Sequence, residues 1–278
     1  MPNPTPLQWI RQAARRLQLP DAQREARALL LAVLGRNIGW LYRQGDGPLL
    51  AAELERLQSA LQRRADGEPL AYITGEKPFW DMRLAVSPHV LCPRPETELL
   101  VEACLEKLRD TKHPRVVDLG TGSGAIALAL ARSRPDARVL GTDTSRNALC
   151  LARENGRRWA PTVQWVQTGW LTGLRGPFQL IAANPPYIRA DDPWLNSDGT
   201  RHEPRQALVA QQDGLADLAT IIRQAPDRLA HDGWLILEHG HDQANAVRQA
   251  LLATGLDAVE CRRDLAGLPR VSLARRRG

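Results

Sequence analysis

Residues 115–124 read Arg115-Val116-Val117-Asp118-Leu119-Gly120-Thr121-Gly122-Ser123-Gly124, and a run of small and aliphatic residues continues from Ala125 to Arg134. The β-branched start predicts a buried strand, the alternating glycines a tight turn, and the remainder a helix. A turn of this kind lets a ligand approach the backbone, and the unpaired N–H groups opening the helix suit an anionic end. Asp143 follows Gly120 by 23 residues, at the end of a second expected strand, Arg138 to Asp143. An acid there can accept hydrogen bonds from both hydroxyls of a ribose. Gly120, Thr121, Gly122, Ser123, Gly124 and Asp143 are therefore the candidate contacts to a nucleoside. NAD(P) and S-adenosylmethionine both satisfy them, and the GxGxG spacing leans slightly to the latter.

Working outward toward the C-terminus, strand and helix alternate. Helices are expected over 148–158, 215–230 and 245–254, and strands over 163–167, 178–183, 233–238, 257–262 and 270–274. This pattern means a mostly parallel sheet with helices on both faces. Only 264–269 separates the last two strands, too short for a parallel crossover, so one of them runs antiparallel. Working back toward the N-terminus, residues 96–110 read as a helix. The proline-rich stretch before them reads as a β-hairpin linker, 76–95. Residues 5–66 carry three helical stripes broken at Pro20-Asp21 and at Gly45-Asp46-Gly47-Pro48, the mark of a small bundle. The expected organisation is a helical domain over 1–75, the linker over 76–95, and the α/β domain over 96–278.

After the fourth strand of the α/β domain come Asn184-Pro185-Pro186-Tyr187. Ligands of open α/β sheets bind outside the carboxyl ends of the strands. The Asn184 side-chain oxygen and the Pro185 carbonyl are acceptors on a segment stiffened by two prolines. Two fixed acceptors take both protons of a planar –NH2 group, and Tyr187 offers a flat face to stack on it. So held, the nitrogen lone pair is less delocalised and points along one line, which is what methyl transfer from a sulfonium to a poor nucleophile requires. Asn184, Pro185 and Tyr187 are the candidate catalytic residues, and Asn184 to Tyr187 the substrate-binding ones.

Composition bounds the class. The 278 residues are 43% hydrophobic and 24% charged, those of a folded globular chain of about two domains, with neither a membrane span nor a signal peptide expected. The net charge of +6 is carried by 34 Arg against three Lys, with a surplus over residues 262–278. That basic edge suits a polyanion, though a solvated last strand explains it more simply. Cys92, Cys104, Cys150 and Cys261 are far apart and read as small buried hydrophobes. His239-Gly240-His241 lacks ligands at a metal-binding spacing, so no metal is expected. Dispersed tryptophans, Trp80, Trp159, Trp165 and Trp234 among them, are read as packing on strands and helices.

The chain resembles the release factor glutamine methyltransferases, the PrmC/HemK family. The resemblance is nearly full length and rests on the helical N-terminal module, the linker Leu91-Cys92-Pro93-Arg94-Pro95-Glu96-Thr97-Glu98, the loop Asp118 to Gly124, Asn184 to Tyr187, and Leu235-Ile236-Leu237-Glu238-His239-Gly240. It implies a class I methyltransferase fold, that is, a Rossmann-like, mostly parallel sheet with an antiparallel strand, plus a small N-terminal helical bundle. It further implies S-adenosyl-L-methionine as donor, S-adenosyl-L-homocysteine as product, and N5-methylation of the glutamine in the Gly-Gly-Gln motif of class 1 peptide chain release factors. The N-terminal helices would dock that partner. By matching position, Gly120 to Gly124 and Asp143 hold the cofactor, Trp170 lies beside the adenine, and Asn184 touches the cofactor as well as the substrate amide. Gly169 departs from the acidic residue that often precedes that aromatic. Arg94 and Glu96 are read as an interdomain ion pair near the mouth of the site, or as a linker clamp with no role in the chemistry, and Glu238 as a structural acceptor first. The enzyme is expected to be a cytoplasmic monomer that needs neither membrane nor nucleic acid. A nucleic-acid amino methyltransferase acting on adenine N6 or guanine N2 poses the same chemical problem and is the rival reading. A noncatalytic S-adenosylmethionine-binding adaptor is a second, which the intact tetrad disfavours.

Overall fold

The computed structural model describes residues 2–44 and 46–278. Gly45, part of one expected break, lies outside them. The chain forms two compact units, Met1–Glu76 with Asn196–His202, and Lys77–Leu195 with Glu203–Gly278.

The first unit contains α1 (Pro6–Leu17), α2 (Ala22–Leu34), α3 (Ile38–Gln44), α4 (Ala51–Ala65) and the short α5 (Leu70–Thr74). Thr5 starts α1 with a reciprocal cap: its hydroxyl accepts from the Gln8 N–H, and the Gln8 side chain accepts from the Thr5 N–H. The helical stripes meet as Trp9, Ile10, Ala13, Leu29, Leu30, Leu57 and Leu61 in one core. Arg64 on α4 pairs with Glu25 on α2 at 2.6 Å. Residues 196–202 join this unit, where the Gly199 N–H donates to the Gly67 carbonyl at 2.9 Å. The Arg201 and His202 side chains also meet the Asp66 carbonyl, so part of the attachment is made by side chains on main-chain acceptors, which no periodicity in the sequence marks.

The second unit opens with the hairpin β1 (Glu76–Phe79) and β2 (Met82–Ala85), whose Phe79, Met82 and Leu84 are buried in its core. The hairpin set apart from sequence as a linker thus contributes side chains to the larger unit's core. Trp80 lies in the hairpin turn with φ 55°, not on a strand. There follow α6 (Thr97–Lys107), β3 (Arg115–Leu119), α7 (Ala125–Ser133), β4 (Arg138–Asp143), α8 (Arg146–Trp159), β5 (Gln164–Gln167) and β6 (Phe178–Ala183). After β6 come α9 (Gln211–Gly214), a single turn with left-handed Gln212 and Asp213, then α10 (Ala216–Gln224), β7 (Leu229–Glu238), α11 (Ala244–Ala253), β8 (Asp257–Arg263) and β9 (Pro269–Arg275). The helix expected to reach residue 230 ends at Gln224. Pro226, two residues on, has no N–H with which to continue it, and Leu229 instead pairs with Phe178.

The sheet order is β5-β4-β3-β6-β7-β9-β8. The strands from β5 to β7 run parallel, and β9 is antiparallel to both neighbours. This is the expected class I methyltransferase architecture. Two apolar layers cover the sheet, one with Leu100, Leu128, Val116 and Ile236, the other with Val117, Ile181, Leu235 and Ile221. Cys92 and Cys104 are buried as expected, whereas Cys150 and Cys261 are exposed. Cys261 lies on β8, the edge strand, where alternate side chains face out.

Candidate active site

Connections leave β3 toward β4 in one direction and β6 toward β7 in the other, so the order reverses between β3 and β6. Such a switch point opens a crevice at the carboxyl ends of the strands. Register makes this concrete. Leu119 pairs with Ala183, and Ala183 with Leu237. Gly120, Asn184 and Glu238 are therefore the next residues of three adjacent strands, and Asp143 closes β4 beside them.

A cavity of about 490 Å³ lies there, lined by Gly120, Thr121, Gly122, Ser123, Asp143, Trp170, Asn184 and Pro186 among others. Gly120 has φ +68°, and a Cβ on it would meet the Trp170 ring at 3.3 Å. Glycine is required both by the backbone and by the indole laid across it. Trp170 itself is left-handed at φ 46°, a conformation that costs a non-glycine residue and recurs where side chains are aimed at ligands. The Asp143 carboxylate accepts from the Gly122 N–H at 3.0 Å and from the Ser145 N–H at 2.8 Å, which ties the loop to the end of β4. Gly124 is the one loop residue outside the cavity lining. It backs onto Trp165, whose ring would lie 2.9 Å from a Cβ there.

Below the loop, Asp118 is wholly buried. Its Oδ2 accepts from the Thr121 hydroxyl at 2.5 Å and the Ala127 N–H at 3.2 Å, while Oδ1 has no partner. Burial pushes its carboxyl up to about 7. Asn155, also buried, bonds both the N–H and the carbonyl of Ala85 and donates to the Ser123 carbonyl at 2.9 Å, stapling β2 to the loop. Asp217 lines the same cavity, half-buried, and burial raises its carboxyl. Asp118, Asn155 and Asp217 carried no motif signal apart from the position of Asp118 next to the glycines.

The tetrad divides. Asn184 and Pro186 face the first cavity, Pro185 is buried behind them, and Tyr187 lines a second cavity of about 540 Å³ with Glu238, Arg270 and Gln243. The Asn184 Nδ2 group donates to the Thr97 hydroxyl at 3.1 Å. The Tyr187 hydroxyl donates to Glu238 Oε1 at 3.4 Å, and its carbonyl accepts from Gln243 Nε2 at 2.9 Å. Gly214, with φ +83°, presses on that carbonyl so closely that a Cβ would lie 2.2 Å from it. Arg94 lines both cavities, but its ion-pair partner is Glu203, not Glu96 as expected. Glu203 is buried and also takes the Cys92 N–H, so the carboxylate that reaches Arg94 comes from a segment 109 residues away. His239 is buried with Nδ1 2.8 Å from the Gly240 carbonyl and Nε2 2.8 Å from the Ser272 hydroxyl, both ring nitrogens engaged. Among the described residues no cluster of three or more His, Cys, Asp or Glu could hold a metal, and no helix is long and apolar enough to cross a membrane.

An open α/β sheet with a glycine turn, a strand-end acid and an acceptor-bearing tetrad at one switch point defines a class I methyltransferase. The family description "PrmC N-terminal domain" matches residues 7–75 and "Methyltransferase small domain" residues 95–195. The release factor glutamine methyltransferase of Salmonella typhimurium is 44% identical over 270 residues, 96% of this chain and 97% of its own. That of Xylella fastidiosa is 43% identical over 98% of both. The chain belongs to the release factor glutamine methyltransferase family. Among solved structures, a methyltransferase from Pyrococcus furiosus aligns at TM-score 0.53 and 17% identity, covering 80% of this chain and 99% of that one. A Thermus thermophilus 16S rRNA N2 G1207 methyltransferase aligns at 0.54 and 20%, covering 73% and 50%. These two share the fold.

Proposed function

We propose that this protein methylates the side-chain amide nitrogen, N5, of the glutamine in the Gly-Gly-Gln motif of class 1 peptide chain release factors, using S-adenosyl-L-methionine. The observation that carries the reading is the register that sets Asn184 beside the glycine turn, on the wall of the cavity that also holds Asp143. That cavity suits the donor. A Cβ at Gly122 would meet no atom within 4 Å, so the backbone there stands open to a ligand, and an acid and an indole flank it.

Gly120, Thr121, Gly122, Ser123, Asp143 and Trp170 would hold S-adenosylmethionine, which supplies an electrophilic sulfonium methyl group. Asn184 donates one of its two Nδ2 protons to Thr97, which fixes the amide with Oδ1 left to accept one N–H of the substrate amide. The Pro185 carbonyl takes the other. Tyr187 lines the neighbouring cavity with its hydroxyl committed to Glu238, so its part is to brace the segment that carries Asn184. Two fixed acceptors hold both amide protons, so the lone pair is directed and catalysis is mainly proximity and orientation. No base is needed before attack, because the proton leaves once the nitrogen is cationic. The helical unit would dock the release factor, and the enzyme would act as a cytoplasmic monomer.

The deciding experiment incubates the protein with methyl-labelled S-adenosylmethionine and, separately, a release factor, its Gln→Ala variant in the Gly-Gly-Gln motif, and bulk RNA or DNA. Label is expected on the unaltered release factor alone. Label on nucleic acid hands the case to the amino methyltransferase reading.

A further inference from the structure

An asparagine can recognise an –NH2 group only if its amide presents oxygen and not nitrogen to it. Something must decide which end faces the cavity. On one side of Asn184 is Thr97, 4% exposed, at the start of α6. A threonine hydroxyl has one proton and can both give and accept. Beyond Thr97 is Glu238, 1% exposed: its Oε1 takes the Tyr187 hydroxyl at 3.4 Å, and its Oε2 is buried without a hydrogen-bond partner beside the Thr97 hydroxyl. A carboxylate only accepts, and Oε2 is the buried acceptor left open to the Thr97 proton. Thr97 is then an acceptor toward Asn184, and Asn184 must give it Nδ2, as observed at 3.1 Å.

We propose that Glu238, acting through Thr97, is the positioning residue that turns the Asn184 amide oxygen toward the substrate amide, and through the Tyr187 hydroxyl anchors the ring on the same wall. The row of strand ends places it for this, since Glu238 follows Leu237, the register partner of Ala183. The inference rests on the role of Asn184 proposed above.

The arrangement has a direction that protonation can reverse. Burial pushes the Glu238 carboxyl up to about 7, with Glu96 adding to the rise and Arg270 opposing it. Arg94, Arg189, Asp192, Asp213, His241 and Asp242 share its cavity, and His239 follows it on the chain. A protonated Glu238 donates to Thr97, Thr97 then donates to Asn184, and the amide turns over. Donors now meet donors, and recognition of –NH2 fails.

The test measures release factor methylation by the full-length enzyme from pH 6 to 9, with cofactor affinity by calorimetry and folding by thermal melting alongside. Thr97→Val keeps the shape without a hydroxyl and is expected to lower kcat about tenfold at pH 8. Cofactor affinity stays within about twofold in the same variant, and Thr97→Ser stays within about threefold of the wild type. The wild-type kcat falls as pH drops below about 7, and Glu238→Gln removes that acid limb. Wild-type kcat in Thr97→Val, or an acid limb that survives in Glu238→Gln, overturns the proposal. If Glu238→Gln does not fold, the Thr97→Val and Thr97→Ser pair decides. An unmodified release factor with wild-type enzyme sinks the function itself, whereas modified release factor with an indifferent Thr97→Val sinks only this inference.

Discussion

Two buried carboxyls sit at the ligand end of the sheet, Asp118 under the glycine turn and Glu238 behind the Asn184–Tyr187 wall. Burial raises each to about 7, and each is faced by a threonine hydroxyl. They differ in where their partners come from. Asp118 bonds Thr121 and Ala127, three and nine residues along the same strand-turn-helix. Glu238 is faced by Tyr187, 51 residues before it, and by Thr97 on another element. The first carboxyl shapes a local turn, which any copy of the motif can form. The second ties together three elements that meet only in the finished sheet. The carboxyl under the glycine turn is thus partnered locally, and the one behind the wall from afar.

This contrast can be broken at several points. Asn184→Ala, on the Glu238 side, should cut kcat by more than about 100-fold while cofactor binding stays measurable by calorimetry. Turnover near wild type would remove the wall from the chemistry. Asp143→Ala, on the Asp118 side, should do the reverse. It unties Gly122 and Ser145, so cofactor affinity should fall about tenfold or more, with a smaller loss of kcat at saturation. Gly214→Ala forces a methyl against the Tyr187 carbonyl at a left-handed position and should cost about 1–3 kcal/mol in denaturant unfolding. An unchanged midpoint would mean that the wall is not clamped there.

The smallest effect is on pH-dependent stability. Both carboxyls have folded pKa values raised from 3.8 and 4.5 to about 7. Between about pH 4 and 7 the native state therefore binds more protons than the unfolded chain, and their contribution makes stability fall as pH rises through that window. Each contributes at most about 1.4 kcal/mol per pH unit. Asp118→Asn keeps an acceptor for Thr121 and should remove about half of the slope that the two carboxyls add, read from urea midpoints between pH 4.5 and 7. A slope identical to wild type would show that Asp118 does not titrate there.

Much of this was readable in the linear chain. The strand-turn-helix at 115–134 announced itself through β-branched residues followed by glycines, and the short 264–269 connection required the antiparallel partner that β9 supplies. The helical stripes of the first 66 residues met in one core. Less readable were connections with no periodicity behind them. Arg94 and Glu96 read as an interdomain pair in the linear chain, yet the carboxylate Arg94 meets is that of Glu203. Residues 196–202 join the helical unit through the Gly199 N–H on the Gly67 carbonyl and the Arg201 and His202 side chains on the Asp66 carbonyl, contacts that carry no periodic signal. Tyr187 was grouped with Asn184 by adjacency, but two prolines carry the chain through the wall and leave the two residues lining different cavities.

Local composition alone determined the alternation of strand and helix, the glycine turn, the acid at the end of β4 and the presence of two acceptors beside a tyrosine. These depend on backbone propensity and on groups a few residues apart. Tertiary structure alone decided which way the Asn184 amide turns, because the Thr97 hydroxyl that takes its Nδ2 comes from α6, 87 residues earlier. Such a direction exists only once strands β6 and β7 and helix α6 have excluded water from the groups between them.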